Sequence, residues 1–520
     1  MTRVRVTYAT LSADNESLHT GYEDGVATAR QWLGATVVGH TAEPATEVEP
    51  LPVVSPHDPS LVVTRVRPST RADVDAAVAT VRRAGADWAA LPWRERAAVL
   101  DRVAEQLSRR SYELAALMSI ENGKNRLEAL GDVEEAADMI RYYIARMDAD
   151  NGYDHPMGTL NPAETTRSVM RPHGVWAVIC PFNYPMALAA GPAAAALLTG
   201  NTVVVKPNLV GSHTAAKLFE CFAAAGLPAE VAVLLPGGDD TGKDLVAHPD
   251  VAGLTFTGSS TVGMSIIDTF STAYPKPVMA EMGGKNPTIV TGTADLDAAA
   301  LGVARSAFGF GGQKCSACSR VYVDAIVHDA FVTKLVEQAR RLVVADPTSR
   351  DCYVSPVVDA AAVDRYRAAV EHARANGGTI ACGGEFLGGT PQLPGNYLAP
   401  TVVTGLPTDD RLFHDELFVP LVAVAPVPDL DRALELANDD PAGLTAGLFT
   451  GEQTQIDRFL DRIEAGVVYV NRPAGATTGA WPGVQPFGGW KRSGSTGRAG
   501  GGLYYLTAFL REQSRTVVTA

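Results

Sequence analysis

Between residues 70 and 150 the apolar positions recur at helical spacing. Thr70 with Asp73 has the form of a capping box, and an Ala/Val-rich amphipathic run follows to Trp88. Arg94–Met118 and Lys124–Met147 continue the helical pattern. Residues 151–171 break it with Gly, Pro and polar positions and end in RPHG, which predicts an exposed excursion shaped as a hairpin arm.

From residue 175 the rhythm changes. VWAVIC and TVVVKP read as buried strands, Ser212–Ala225 as a helix closed by Gly226, and VAVLLP and VAGLTF as further strands around a short helix after Gly238. Almost wholly apolar strands alternating with helices predict a parallel sheet covered on both faces. After Gly283-Gly284 a second series begins: PTIVTG, a helix over Leu296–Phe308, VYVD, then a long helix from His328. The tail is glycine-rich over Gly488–Gly502 and then amphipathic through LYYLTAFLREQSRT. The expected fold class is α/β. One domain is built from residues 1–150 and 174–284, a second from 285–480, and 151–173 with 481–520 form arm and tail segments that pair between subunits.

Bulk properties narrow the function. A chain of 520 residues is too long for one core. A formal charge of −14 argues against nucleic acid or an anionic membrane surface as partner. Six cysteines form no disulfide framework in so long a chain, and the N-terminal MTRVRVTYAT lacks a signal peptide's apolar core, so a reducing cytoplasm is expected. Met186–Val205 comes nearest to a membrane span. Gly191-Pro192 and Gly200-Asn201 interrupt it, and it reads as a buried helix, a turn and a buried strand.

Four segments carry candidate chemistry: PFNYP (181–185), VVVKP (203–207), FTGSSTVG (256–263) with EMGGK (281–285), and GGQKCSACSR (311–320). Cys315 follows a flexible glycine stretch and is expected at a loop-to-helix junction, where unpaired N–H groups favour thiolate. Glu281 ends a strand beside glycines that leave room for water or a cofactor. A thiol nucleophile with a carboxylate base suits covalent acyl chemistry, and Asn183, in a proline-flanked turn, is placed to aim its amide at a developing oxyanion.

In order and spacing, with DELF (415–418), these segments resemble the aldehyde dehydrogenase superfamily over nearly the whole chain. The resemblance implies a Rossmann-like cofactor domain, an α/β catalytic domain and an oligomerisation arm. It also implies NAD or NADP as cofactor and a homo-oligomer, a dimer at least. By match, Cys315 attacks the aldehyde, Asn183 and the Cys315 N–H hold the oxyanion, and Glu281 activates water. Pro181, Phe182, Lys206, Thr257, Gly258, Ser259, Val262, Glu416 and Phe418 fall on the cofactor positions.

KNRLEALGDVEEAADMIRYY (124–143), GQKCSACSR, VYVNRPAGATTGAWPGVQPFGG (468–489) and SGSTGRAGG (493–501) look most like the 1-pyrroline-5-carboxylate dehydrogenases of proline catabolism. That likeness implies L-glutamate γ-semialdehyde as substrate, or else another aldehyde bearing an anionic group. Ser316, Ser493 and Gly494 would hold its carboxylate, Asp132 would lie near its ammonium, and Phe182 would line the site. Three positions depart from the pattern. Leu209 replaces an acidic residue that binds the adenosine ribose, which leaves coenzyme preference open. Val419 replaces a Gly after Phe418, and Gly502 stands where Pro is common.

Competing readings are weaker. Gly237–Lys243 nearly spells a P-loop, but Asp244 stands where Ser or Thr should bind Mg2+. Cys315 and Cys318 have the spacing of half a zinc site, yet no second half exists, so no metal is expected. If CSAC were helical, Cys318 would face the core one turn on. A non-catalytic use of the fold would predict loss of nucleophile, base or oxyanion donor, and all three are present.

Overall fold

The computed structural model describes residues 15–40, 48–272 and 274–518; the N-terminal MTRVRVTYAT lies outside them. Among the described residues two mainly parallel sheets carry the architecture. The first has five strands in the order Val278–Met282, Val251–Gly258, Val175–Ile179, Thr202–Lys206, Ala232–Leu234, all parallel. The second has seven, in the order Thr379–Cys382, Thr401–Thr404, Leu421–Val427, Cys318–Asp324, Asn286–Val290, Thr445–Phe449, Val467–Val470. Only its edge strand Thr379–Cys382 runs antiparallel. Strands Thr202–Lys206 and Asn286–Val290 are buried at every position, as their unbroken apolar runs require.

The helical first part covers the first sheet. Thr70 and Asp73 close the expected capping box on helix Arg71–Ala90. The run expected over Arg94–Met118 divides into helices Trp93–Arg109 and Ser111–Asn122. The chain then leaves helical geometry at Gly123, whose φ of 81° suits a residue without Cβ. Lys124 therefore stands outside a helix. The next helix, Arg126–Ala149, starts where the Asn125 side chain accepts the Glu128 N–H at 3.0 Å. Residues 186–205 form the buried helix Ala187–Leu198, a turn, and a buried strand. Gly191 lets this helix press on Arg126–Ala149: a Cβ there would sit 2.4 Å from Met139 Sδ. No helix among the described residues is long and apolar enough to cross a membrane.

The excursion after residue 150 is a hairpin, Asp154–Pro156 against Glu164–Pro172, and the tail adds strand Leu510–Val518 to its other side, antiparallel from Leu510↔Pro172 to Val518↔Glu164. Buried Asn201 fastens this arm to the first sheet. Its side-chain oxygen accepts the His173 and Gly174 N–H groups, and its amide donates to the Phe509 carbonyl.

One buried carboxylate orders the junction beneath the site. Glu121, the penultimate residue of helix Ser111–Asn122, is fully buried. It accepts the N–H groups of Gly211, His213 and Thr214 and the Thr214 hydroxyl, at 2.6–3.0 Å. It thus caps helix Ser212–Ala224, whose first turn has no side-chain cap of its own. Glu121→Ala should strand these donors and lower stability by about 3–5 kcal/mol, seen as an earlier denaturation midpoint in urea followed by circular dichroism.

Candidate active site

The first sheet supplies one wall. Its central strand Val175–Ile179 runs on to strand Thr202–Lys206 on one side, and the chain later returns to the other side as Val251–Gly258. Such a reversal opens a crevice beyond the carboxyl ends of the strands. Pro181 and Phe182, Lys206, and Thr257 to Ser259 all stand at those ends. Ser259 caps helix Ser260–Phe270, and Ser259, Thr261 and Val262 are exposed, so the positive end of an eleven-residue helix faces solvent. A Cβ on Gly258 would lie 2.5 Å from the Phe256 ring, and one on Gly263 2.4 Å from Met282 Sδ, so both glycines permit close strand–helix approach. Burial pushes the Lys206 ammonium down, against the pull of Asp239. These features fit a dinucleotide, with pyrophosphate at the helix end and ribose at Lys206. Leu209, half-buried, leaves the ribose end without the usual carboxylate. The near-P-loop is not a phosphate site: Lys243 pairs with Asp240, and Asp244 with Arg71.

The nucleophile segment belongs to the second sheet. Helix Leu296–Phe308 ends in a kinked turn where Phe310, Gly311 and Gly312 take φ of 52°, 60° and 71°. A Cβ on Gly312 would meet the Val419 carbonyl at 2.4 Å. Residues 313–317 then turn directly into strand Cys318–Asp324. The expected loop-to-helix junction at Cys315 is therefore absent, because pairing with Asn286–Val290 draws the chain into the sheet. Cys318 begins that strand, buried against the Thr288 hydroxyl. The Asn286 amide donates to the Cys315 carbonyl at 2.6 Å and the Ala317 carbonyl at 3.0 Å, the Thr477 hydroxyl donates to the Ser316 carbonyl, and Lys314 pairs with Glu128.

The thiol's electrostatics also reverse the expectation. Cys315 is half-buried in dense surroundings, and burial, then Glu416 and Glu281, push its thiol up to about 12. Glu281 is half-buried near the end of its strand, accepts the Gly489 N–H at 3.0 Å, and is pushed by burial up to about 8. Glu416 keeps solvent access while accepting the Gly284 N–H at 3.2 Å. Crowding by protein atoms lifts its carboxyl to about 7. A Cβ on Gly283 would fall 1.9 Å from its Oε2, so a larger residue there would push the Glu416 carboxyl aside.

Asn183 is buried, and its amide donates to the Gln313 carbonyl at 2.9 Å. That bond uses one of the two amide hydrogens and points the group at the nucleophile's own turn. Two backbone carbonyls of the loop are also held, Phe182 by the Asn122 amide and Asn183 by the Lys124 ammonium, each at 2.9 Å. Phe182 meets Phe418 edge-on at 5.9 Å.

The expected substrate residues separate. Ser316 adjoins Cys315 and is nearly buried, and Gly494 keeps partial exposure. Ser493 is a correction. Fully buried, its hydroxyl donates to the Gly283 carbonyl at 2.7 Å and accepts the Gly443 N–H, while its backbone carbonyl accepts the Met282 N–H. It welds the loop to strand Val278–Met282 and has no face for a substrate. Asp132 is a second correction: fully buried, it pairs with Lys124 at 3.0 Å and accepts the Ala187 N–H at 2.8 Å, so it cannot meet an ammonium in the cleft. Asn122, Lys124, Gln313 and Thr477 went unnoticed in the sequence. Polar residues flanking Gly123 at a helix end were the available signal for the first two.

Residues 43–514 match the aldehyde dehydrogenase family. The chain is 36% identical to 1-pyrroline-5-carboxylate dehydrogenase 2 of Bacillus subtilis over 507 residues, 95% of each chain. It is also 36% identical to the 1-pyrroline-5-carboxylate dehydrogenase of Anoxybacillus flavithermus over 506 residues, again 95% of each. The solved 1-pyrroline-5-carboxylate dehydrogenase from Thermus with bound NAD superposes with a TM-score of 0.91 at 33% identity, covering 97% of both chains.

A thiol held this far above its ordinary range should resist alkylation. Without coenzyme at pH 7.5, iodoacetamide should label Cys315 about tenfold or more slowly than a free cysteine, and Glu281→Gln or Glu416→Gln should speed it. Peptide mass spectrometry reads the rate. Labelling as fast as a free thiol would show a thiolate instead.

Proposed function

This chain belongs to the aldehyde dehydrogenase family, and from that premise we propose that it oxidises L-glutamate γ-semialdehyde to L-glutamate with NAD+ or NADP+. The observation that carries the reading is the meeting of three groups from two sheets. The Asn183 amide is anchored on the turn that holds Cys315, and Cys315 lies within electrostatic reach of a carboxylate, Glu281, poised near neutral pH.

In this reading Cys315 Sγ bonds to the aldehyde carbon as the carbonyl electrons move onto oxygen. The oxyanion is held by the second Asn183 amide hydrogen and the Cys315 N–H. Glu281, about halfway from an ordinary carboxylate to the thiol in basicity, offers the thiol proton a nearer acceptor than bulk water. A nicotinamide bound at Glu416 and Phe418 would supply the acceptor for the hydride that the cysteine adduct loses on becoming a thioester, and Lys206, Ser259 and the exposed helix end would hold the rest of the dinucleotide. Once Glu281 has passed the thiol proton to solvent, it takes a proton from water as that water attacks the thioester carbon. The C–S bond breaks, and carboxylate and thiol are released. Leaving the Gly489 N–H frees Glu281 for this step.

The substrate's own carboxylate meets Ser316 and the neighbouring loop Thr478–Ala480 in this reading, in place of Ser493. Thr477 ties that loop to the Ser316 carbonyl, and Gly479 and Ala480 are partly exposed. The protein works as a cytoplasmic homo-oligomer joined through the arm, where Val517 and Val518 are exposed.

Coenzyme reduction at 340 nm tests the substrate: the semialdehyde should be preferred to propanal by at least about tenfold in kcat/KM, with NAD+ and NADP+ compared side by side. Equal rates would overturn the substrate assignment. A base works unprotonated, so thioester hydrolysis should rise with pH through about 8 and fall away below it. Glu281→Gln should remove this limb in a single-turnover pH profile.

A further inference from the structure

Lys124 and Asp132 are both fully buried, with Nζ and Oδ2 3.0 Å apart. Such a pair is a poor source of stability. Taking two charges out of water costs several kcal/mol each, and well-packed apolar residues of the same volume often do as well or better. What apolar residues cannot supply is direction, and here the pair's remaining side-chain hydrogen bonds run to one loop and its exit.

Lys124 Nζ donates to the Asn183 carbonyl at 2.9 Å and lies 3.2 Å from the centre of the Tyr184 ring, with Phe310 farther off at 5.5 Å. Asp132 Oδ1 accepts the Ala187 N–H at 2.8 Å, where helix Ala187–Leu198 begins. The ammonium thus grips the loop at 183–184 and the carboxylate grips its exit at 187. Asn122 adds a third hold, donating to the Phe182 carbonyl while accepting the Lys124 N–H at 3.1 Å. The ion pair is braced from outside as well: Lys124 follows Gly123, and Asp132 rides on the long helix Arg126–Ala149.

We propose that the Lys124–Asp132 pair, clamping the backbone at Asn183 and Ala187, is the positioning device that fixes the Asn183 amide for oxyanion stabilisation. Neither residue touches substrate. An oxyanion donor is effective only if it is aimed before the charge develops, and an amide on an unpinned seven-residue loop would have to be ordered in the transition state. The inference rests on the oxyanion role assigned to Asn183.

The test is a double-mutant cycle on the rate of the first hydride-transfer turnover, read at 340 nm. Lys124→Met with Asp132→Leu removes the pair without leaving a lone buried charge, and Asp132→Asn is a milder variant that keeps the side-chain shape. Hydride transfer should slow in both, by about 10²-fold in the first, as for loss of one oxyanion donor. Cys315 alkylation and NAD+ binding should stay at wild-type values. In an Asn183→Ala background the same changes should add less than about threefold, because the group they aim is gone. Equal losses in both backgrounds, or unchanged hydride transfer in either variant, would overturn the proposal. Wild-type hydride transfer in Asn183→Ala alone would instead overturn the oxyanion role on which it stands.

Discussion

The hydrogen bond from the Asn183 amide to the Gln313 carbonyl, 2.9 Å long, registers the two halves of the cleft against each other. Asn183 lies just past the central strand of the five-stranded sheet, and Gln313 just before the central strand of the seven-stranded one. Each sheet contributes its ends at this point: carboxyl ends from the first, amino ends from the second. Cys315, Asn183 and Glu281 come from different turns, so the proposed chemistry needs the sheets in register. The electrostatics depend on that approach too. Burial where the Cys315 turn packs against Glu281 and Glu416 favours the protonated form of all three groups.

The supports of this contact share a chemical style. Charged side chains are buried and saturated by backbone groups instead of being left to surface pairing. Glu121 collects three N–H groups and a hydroxyl at the start of one helix. Arg320, 1% exposed, donates to the carbonyls of Lys285, Phe413, Leu436 and Ala437. Each of these groups fixes irregular backbone that no ladder or helix would satisfy, which is the situation where buried polar groups are worth their desolvation.

What the sequence disclosed follows from the same physics. Strands buried on both faces announce themselves as apolar runs, and Leu296–Phe308 was readable as a helix to its ends because the Asp295 cap and the Gly309 stop are local signals. Cys315, Glu281 and Asn183 stood out because reactive residues beside glycine or proline are uncommon. The errors came where a long-range partner decides. Cys315 read as a helix start because small residues follow it, yet the neighbouring strand Asn286–Val290 claims the chain from Cys318. Asp132 read as a cleft carboxylate from its match to the family's signature helix region, which does not say what covers that helix face, and Lys124 is what covers it. Ser493 read as an anchor from its glycine-rich setting, but its hydroxyl is claimed by Gly283 and Gly443, far away in sequence.

The attachment of the Ser493–Ser495 segment has a consequence for redesign. The Ser493 carbonyl accepts from Met282, the Ser495 N–H donates to the Ala280 carbonyl, and the Ser495 hydroxyl bridges Ala280 and Val278. This segment is in effect a seam sewn along the strand that bears Glu281. Diversifying it in a library would shift the base along with the loop and select mostly for damage repair. The stretch Thr478–Ala480, tethered next to Ser316 but not stitched to that strand, is where the proposed pocket could be reshaped without moving the strand that bears Glu281.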